Sequence, residues 1–196
     1  MKKICLLLPN GFEAVEASVF TDVFGWNKDV SDGTTELVTV GTRAELICTW
    51  NLTVKPERLL SEVSAHEFDA LALPGGFEQA GFYEDAFRSD VLEFIRAFDI
   101  EGKIIAAICV GSLVVGKSGV LKGRNATTYN RSNRKRQVQL AEMGVNVIPD
   151  QSIVIDKNII TSFNPATSFD VAFTMLELLT STENANNIKR LMGFCE

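Results

Sequence analysis

The sequence predicts an α/β protein built on a mostly parallel sheet with helices on both faces. Three observations carry this. Apolar runs of strand length alternate with segments of helical periodicity along the chain. Several runs stop abruptly at turn residues, as residues 4–8 do at Pro9-Asn10-Gly11 and residues 70–73 at Pro74-Gly75-Gly76. One run, residues 104–108, ends at Cys109, and Val110-Gly111-Ser112 then lead into the apolar Leu113-Val114-Val115. A strand that turns straight into a helix with one reactive residue at the corner is a nucleophile elbow.

The elements follow in order. Residues 3–8 make a buried strand, and residues 12–26 a helix whose Val15, Val19, Phe20, Val23 and Phe24 form one stripe. Residues 29–34 form a polar turn before a second strand at 36–40. The stretch 41–64 is irregular, with a short hairpin from 46–50 and 52–54 and a helical turn near 59–63. Residues 70–73 are a third buried strand, and Val91, Phe94, Ile95 and Phe98 give residues 87–98 one apolar face. The elbow strand and its helix come next. A short strand at 125–129, a helix to about Met143, a strand at 145–148 and a bent edge from 152–156 and 158–162 follow. A loop at 163–168 leads into a helix at 169–179, and a last helix covers 187–192, leaving Cys195 exposed in the tail. No repeat or linker divides residues 1–196, so a single domain is expected.

Composition narrows the function. The chain has 196 residues, 46% hydrophobic and 22% charged, with a formal charge of −6. That balance fits a freely diffusing protein and disfavours non-specific nucleic-acid binding. No run reaches the ~20 apolar residues of a membrane span. The apolar stretch after Met1-Lys2-Lys3 is short, stops at Pro9 and lacks a small-residue cleavage site, so the expectation is a strand in a cytoplasmic protein. The four cysteines lack Cys-x-x-Cys spacing and His66 is the only histidine, so free thiols and no metal site are expected. No dinucleotide fingerprint or phosphate loop is present.

In parallel sheets, sites lie beyond the carboxyl ends of the strands. Three features end strands there: the turn leading to Glu16, the Gly75-Gly76 pair and Cys109. At a helix N-terminus, unpaired N–H groups favour a thiolate. A buried core cysteine remains the alternative for Cys109. Glu13 and Glu16 also suit an ordinary helix start, and paired glycines suit an ordinary tight turn. The run Arg131, Arg134, Lys135 and Arg136 reads as a solvated face, with an anion site as the other reading. His66 sits at the amino end of its strand and reads as a surface residue.

Taken together, Gly11-Phe12-Glu13-Ala14-Val15-Glu16, Leu73-Pro74-Gly75-Gly76, Ala106-Ala107-Ile108-Cys109-Val110-Gly111 and Ala126-Thr127-Thr128 resemble the ThiJ/PfpI superfamily, nearest its Parkinson-protein deglycase branch. Thr161-Ser162 and Pro165-Ala166-Thr167-Ser168 extend the resemblance over nearly the whole chain. It implies a flavodoxin-like three-layer sandwich, a homodimer, and no metal or organic cofactor. Carried over by position, Cys109 is the nucleophile and Glu16 its acidic partner. Gly76 and Val110 offer N–H groups to an oxyanion, and Gly75 and Tyr129 are accessory candidates. A protonated Glu16 would donate to the sulfur, whereas an ionised one would oppose a thiolate.

Two departures shape the functional expectation. Tyr129 stands where many members have histidine, and a phenol is a poor base at neutral pH. Trp26, Trp50 and Phe163 align where the deglycase branch has arginines, which implies an apolar entrance. The expected function is a cysteine-dependent, glyoxalase- or deglycase-like enzyme acting on a small carbonyl, with an isonitrile-hydratase-like activity as a variant. A redox-responsive stress protein or chaperone with Cys109 as the oxidation sensor is the alternative. A peptidase ranks last, because it lacks a histidine base.

Overall fold

A computed structural model describes residues 1–194; Cys195 lies outside the described residues. The strands are β1 (Lys2–Leu8), β2 (Thr35–Gly41), β3 (Leu46–Ile47), β4 (Thr53–Val54), β5 (Arg58–Leu59), β6 (Ala70–Leu73), β7 (Ile104–Ala107), β8 (Asn125–Ala126), β9 (Asn146–Val147), β10 (Ile153–Asp156) and β11 (Ile159–Ser162). The helices are α1 (Ala14–Val30), α2 (Phe82–Ala86), α3 (Ser89–Ile100), α4 (Gly111–Lys117), α5 (Lys135–Glu142), α6 (Ser168–Leu179) and α7 (Thr182–Leu191).

Seven strands form one sheet in the order β10-β11-β7-β6-β1-β2-β5. All neighbours are parallel except the hairpin β10–β11, where Lys157 takes a positive φ of 55°. The helices form two groups, α1 with α6 and α7, and α3 with α4 and α5, giving the expected three layers. The central strands are apolar throughout because both faces are covered: residues 4–8, 70–73 and 105–107 are all buried. From α1, Phe20, Val23 and Phe24 join the same core, each side chain contributing roughly 1.5–3 kcal/mol by its burial.

The order reverses at β1, which is flanked by β2 on one side and β6 on the other. A crevice opens at such a switch point beyond the carboxyl ends of the strands. The β1–α1 loop, the β6 turn and the β7–α4 corner all meet there.

Several expectations change. Val15 is 46% exposed, because the buried face of α1 starts one residue later at Glu16 and Ala17. The helix also runs past Trp26 to Val30, held by buried Asn27, which donates to Thr35 Oγ1 at 2.7 Å. The short α2 was not expected; Gly81, with φ 76°, turns the chain into it. The strand after α4 ends at Ala126, releasing Thr127 and Thr128 toward the elbow. Helix α7 starts at Thr182 rather than at residue 187, because Ser181 caps it by accepting from Asn184 N–H at 3.1 Å. The 46–54 hairpin forms as expected, although only β3 and β4 pair.

Candidate active site

The corner after β7 is strained where the sequence predicts an elbow. Cys109 has φ +54°, in the left-handed region that costs a non-glycine residue about 1–2 kcal/mol. Two hydrogen bonds hold it there. Cys109 N–H donates to Ser162 O at 3.1 Å, and Thr128 Oγ1 donates to Cys109 O at 2.7 Å. Gly111 is required two residues on, since a Cβ there would lie 2.9 Å from both Leu73 O and Pro74 O.

Glu16 reaches the corner from the first turn of α1. The loop before that turn is tied to the β6 turn by Glu13 N–H to Gly75 O at 2.8 Å and Phe77 N–H to Gly11 O at 3.3 Å. Gly75 N–H then donates to Glu16 Oε2 at 2.7 Å. Glu16 is 1% exposed, and its Oε1 has no hydrogen-bond partner. The Cys109 thiol is the other group whose titration is tied to this carboxyl.

The electrostatics follow from this burial. Desolvation pushes the Glu16 carboxyl up to about 8, with Glu13 adding to the rise and Gly75 N–H opposing it. Glu16 is therefore mostly protonated at neutral pH. Burial and an ionised Glu16 push the Cys109 thiol up, while Val110 N–H beside the sulfur pulls it down. The helix start alone does not make a thiolate here, contrary to the sequence expectation. The pair accommodates one negative charge at a time, and a protonated Glu16 removes the main Coulombic objection to placing that charge on sulfur.

Cavities of about 310 Å³ and 280 Å³ flank the thiol and share Gly76, Phe77, Cys109 and Tyr129 as walls. Gly76 and Val110 donate to no backbone carbonyl among the described residues, and the neighbour of Val110 N–H is the Cys109 sulfur. Gly75 N–H is committed to Glu16, which makes Gly75 a positioning group rather than an oxyanion donor. Three larger surface depressions lie elsewhere, one between the start of β2 and α7, one beside Trp50 and one between Tyr83 and α5 that Arg136 also lines, and none contains Cys109.

Other walls differ from the sequence reading. Trp50 borders the smaller cavity and its Nε1 donates to Glu13 Oε1 at 3.1 Å. Trp26 and Phe163 line neither cavity: Trp26 lies about 15 Å along α1 from Glu16, and Phe163 is buried. The entrance is not simply apolar either, because Lys135 and Arg136 line the larger cavity. Glu13 and Phe77 join the walls without a site role in the sequence reading, whereas Lys135 and Arg136 belong to the basic run whose second reading is an anion site. That run was the one available signal for them. His66 lies at the opposite edge, exposed, with Nδ1 2.6 Å from Glu101. Among the described residues, no group of three His, Cys, Asp or Glu side chains is placed to hold a metal ion.

The DJ-1/PfpI family profile matches residues 2–178. The chain belongs to this family. It is 33% identical over 129 residues to deglycase PfpI of Pyrococcus furiosus, covering 65% of this chain and 72% of that one. It is 31% identical over 195 residues to protein DJ-1alpha of Drosophila melanogaster, covering 97% and 83%. The crystal structure of Drosophila melanogaster DJ-1beta superposes with a TM-score of 0.86 at 26% identity over 97% of each chain. The flavodoxin-like sandwich is thus the family's fold, and deglycase-named proteins are among its relatives. No helix among the described residues is long and apolar enough to cross a membrane.

Proposed function

We propose that this chain is a cysteine-dependent, deglycase- or glyoxalase-like enzyme acting on a small carbonyl compound. The observation that carries the reading is the pairing of a strained elbow thiol with a buried, largely protonated Glu16. In this mechanism the Cys109 sulfur adds to the carbonyl carbon. The C–S bond forms as the C=O π bond opens onto oxygen, and the N–H groups of Gly76 and Val110 receive the developing charge. Glu16 gives its proton to that oxygen and takes up the thiol proton, leaving a neutral hemithioacetal. Tyr129 borders the bound carbonyl as a hydrogen-bond donor and not as a base.

The reading includes a homodimer with no cofactor, as the family resemblance implies, and the single domain and cytoplasmic setting expected from the sequence. Light scattering of the purified chain tests the dimer. Methylglyoxal consumption by wild type and Cys109→Ala tests the chemistry: loss of turnover is expected, and turnover unaffected by the substitution overturns it. The pH dependence of Cys109 alkylation by iodoacetamide in wild type and Glu16→Gln tests the pair. A profile that shifts between the two is expected, and superimposable profiles would remove Glu16 from the mechanism.

A further inference from the structure

The basic run at the start of α5 separates once it is placed in the fold. Arg134 turns to Asp150 at 2.7 Å, away from the thiol cavity. Arg136 is fixed from three sides. Its Nη2 donates to Glu78 Oε2 at 3.1 Å, its Nη1 to Gln139 Oε1 at 2.9 Å, and its guanidinium lies 5.1 Å from the centre of the Tyr83 ring. These bonds use two of its five donors. Lys135 is exposed and forms no ion pair among the described residues.

Both side chains line the cavity of about 310 Å³ in which Cys109 sits. Arg136 already has the Glu78 carboxylate, which lines the same cavity, whereas Lys135 has no carboxylate partner among the described residues. The first turn of α5 contains no acidic residue, and cations at a helix N-terminus oppose its dipole. An anion between them would offset that cost. On the other side of the thiol, the second cavity is walled by Glu13 and Glu16. A compound held at Cys109 therefore meets Glu13 and Glu16 on one side, and on the other Lys135 and Arg136, with Glu78 engaged by Arg136. A guanidinium edge held in place and an adjacent ammonium suit a carboxylate in the space between.

We propose that Lys135 and Arg136 are specificity-determining residues that select carbonyl substrates carrying a carboxylate. The carboxylate turns toward α5 and the carbonyl carbon rests at Cys109 Sγ. This deepens the functional reading above and rests on Cys109 as the nucleophile.

The test compares two alkylating reagents of nearly equal size, anionic iodoacetate and neutral iodoacetamide. Their rate ratio at Cys109 is read by mass spectrometry and divided by the same ratio for 2-mercaptoethanol. Wild type at low salt should give a normalised ratio of about ten, the lower end of electrostatic focusing in clefts, and added salt should reduce it. Lys135→Gln and Arg136→Gln should each bring it down toward unity. A ratio near unity in wild type overturns the proposal, as does a raised ratio that neither variant changes. Lys135 is exposed, so its variant remains informative if Arg136→Gln fails to fold. If Cys109 reacts with neither reagent, its role as nucleophile fails separately. Ligand-observed NMR with propionate and propionamide then decides the anion preference. Selective binding of propionate that Lys135→Gln weakens supports the subsite, and equal binding of the two compounds overturns it.

Discussion

Gly75 N–H donates to Glu16 Oε2 at 2.7 Å, so a residue at the end of β6 sets the carboxyl that faces the end of β7. The contact depends on a hydrogen at the Gly75 Cα. A Cβ there would lie 2.9 Å from Val110 N and 3.0 Å from Glu16 Oε2. Gly75→Ala should therefore displace both the acid and the oxyanion donor. Overpacking of this kind costs roughly 1–3 kcal/mol, measurable by denaturant unfolding. Cys109 alkylation should change in rate together with stability. A variant with wild-type stability and reactivity would show that the crevice is looser than this geometry implies.

The raised Glu16 carboxyl makes stability fall with pH. Its folded value of about 8 exceeds the ordinary 4.5, so between these limits the folded state binds more protons than the unfolded one. The contribution is complete below about pH 4.5 and is lost progressively until about pH 8, at up to about 1.4 kcal/mol per pH unit. Glu16→Gln removes the titration. Its unfolding free energy relative to wild type should rise across this window, as read from urea curves at several pH values. A difference that stays flat from pH 5 to pH 8 would mean that Glu16 is not buried as described.

The elbow, Glu16 and the glycine pair were legible in the sequence because each answers a local backbone demand. A strand must end, a corner must close without side chains in the way, and a helix must begin. The walls were less legible. Trp26 and Trp50 look equivalent as isolated tryptophans, and only the hairpin fold brings Trp50 onto Glu13. Lys135 and Arg136 read as a solvated run because their approach to Cys109 depends on how β8 releases the chain after Ala126. Val15 fitted the 3.6-residue stripe, yet the helix turns its neighbour Glu16 inward instead. The start of α7 rests on one serine cap, which hydrophobic periodicity does not register.

Oxidation should single out one thiol. Cys5 and Cys48 are 0% and 2% exposed, so a reagent in solution meets neither sulfur. Cys109 is half-buried, borders two cavities and has a protonated carboxyl beside it. Mild peroxide should therefore convert Cys109 to sulfinate before either of the others is modified. Peptide mass spectrometry reads the order directly. Equal modification of Cys48 and Cys109 would remove the support for Cys109 as an oxidation sensor.

Thr128 tests whether the elbow's strain matters for reactivity. Its Oγ1 donates to Cys109 O at 2.7 Å, bracing a residue held at φ +54°. Thr128→Val keeps the shape and removes the donor, which should cost about 0.5–1.5 kcal/mol. The Cys109 backbone would then relax toward ordinary φ, moving the sulfur away from Val110 N–H and Glu16. Thr161→Val is the matched control. It deletes the acceptor of Thr127 N–H at 3.0 Å, one residue away, without touching the Cys109 carbonyl. Both variants should lose similar stability in urea, but only Thr128→Val should slow alkylation of Cys109. Equal slowing in both would mean that the loop acts through general loosening, and that the left-handed corner is not itself what presents the thiol.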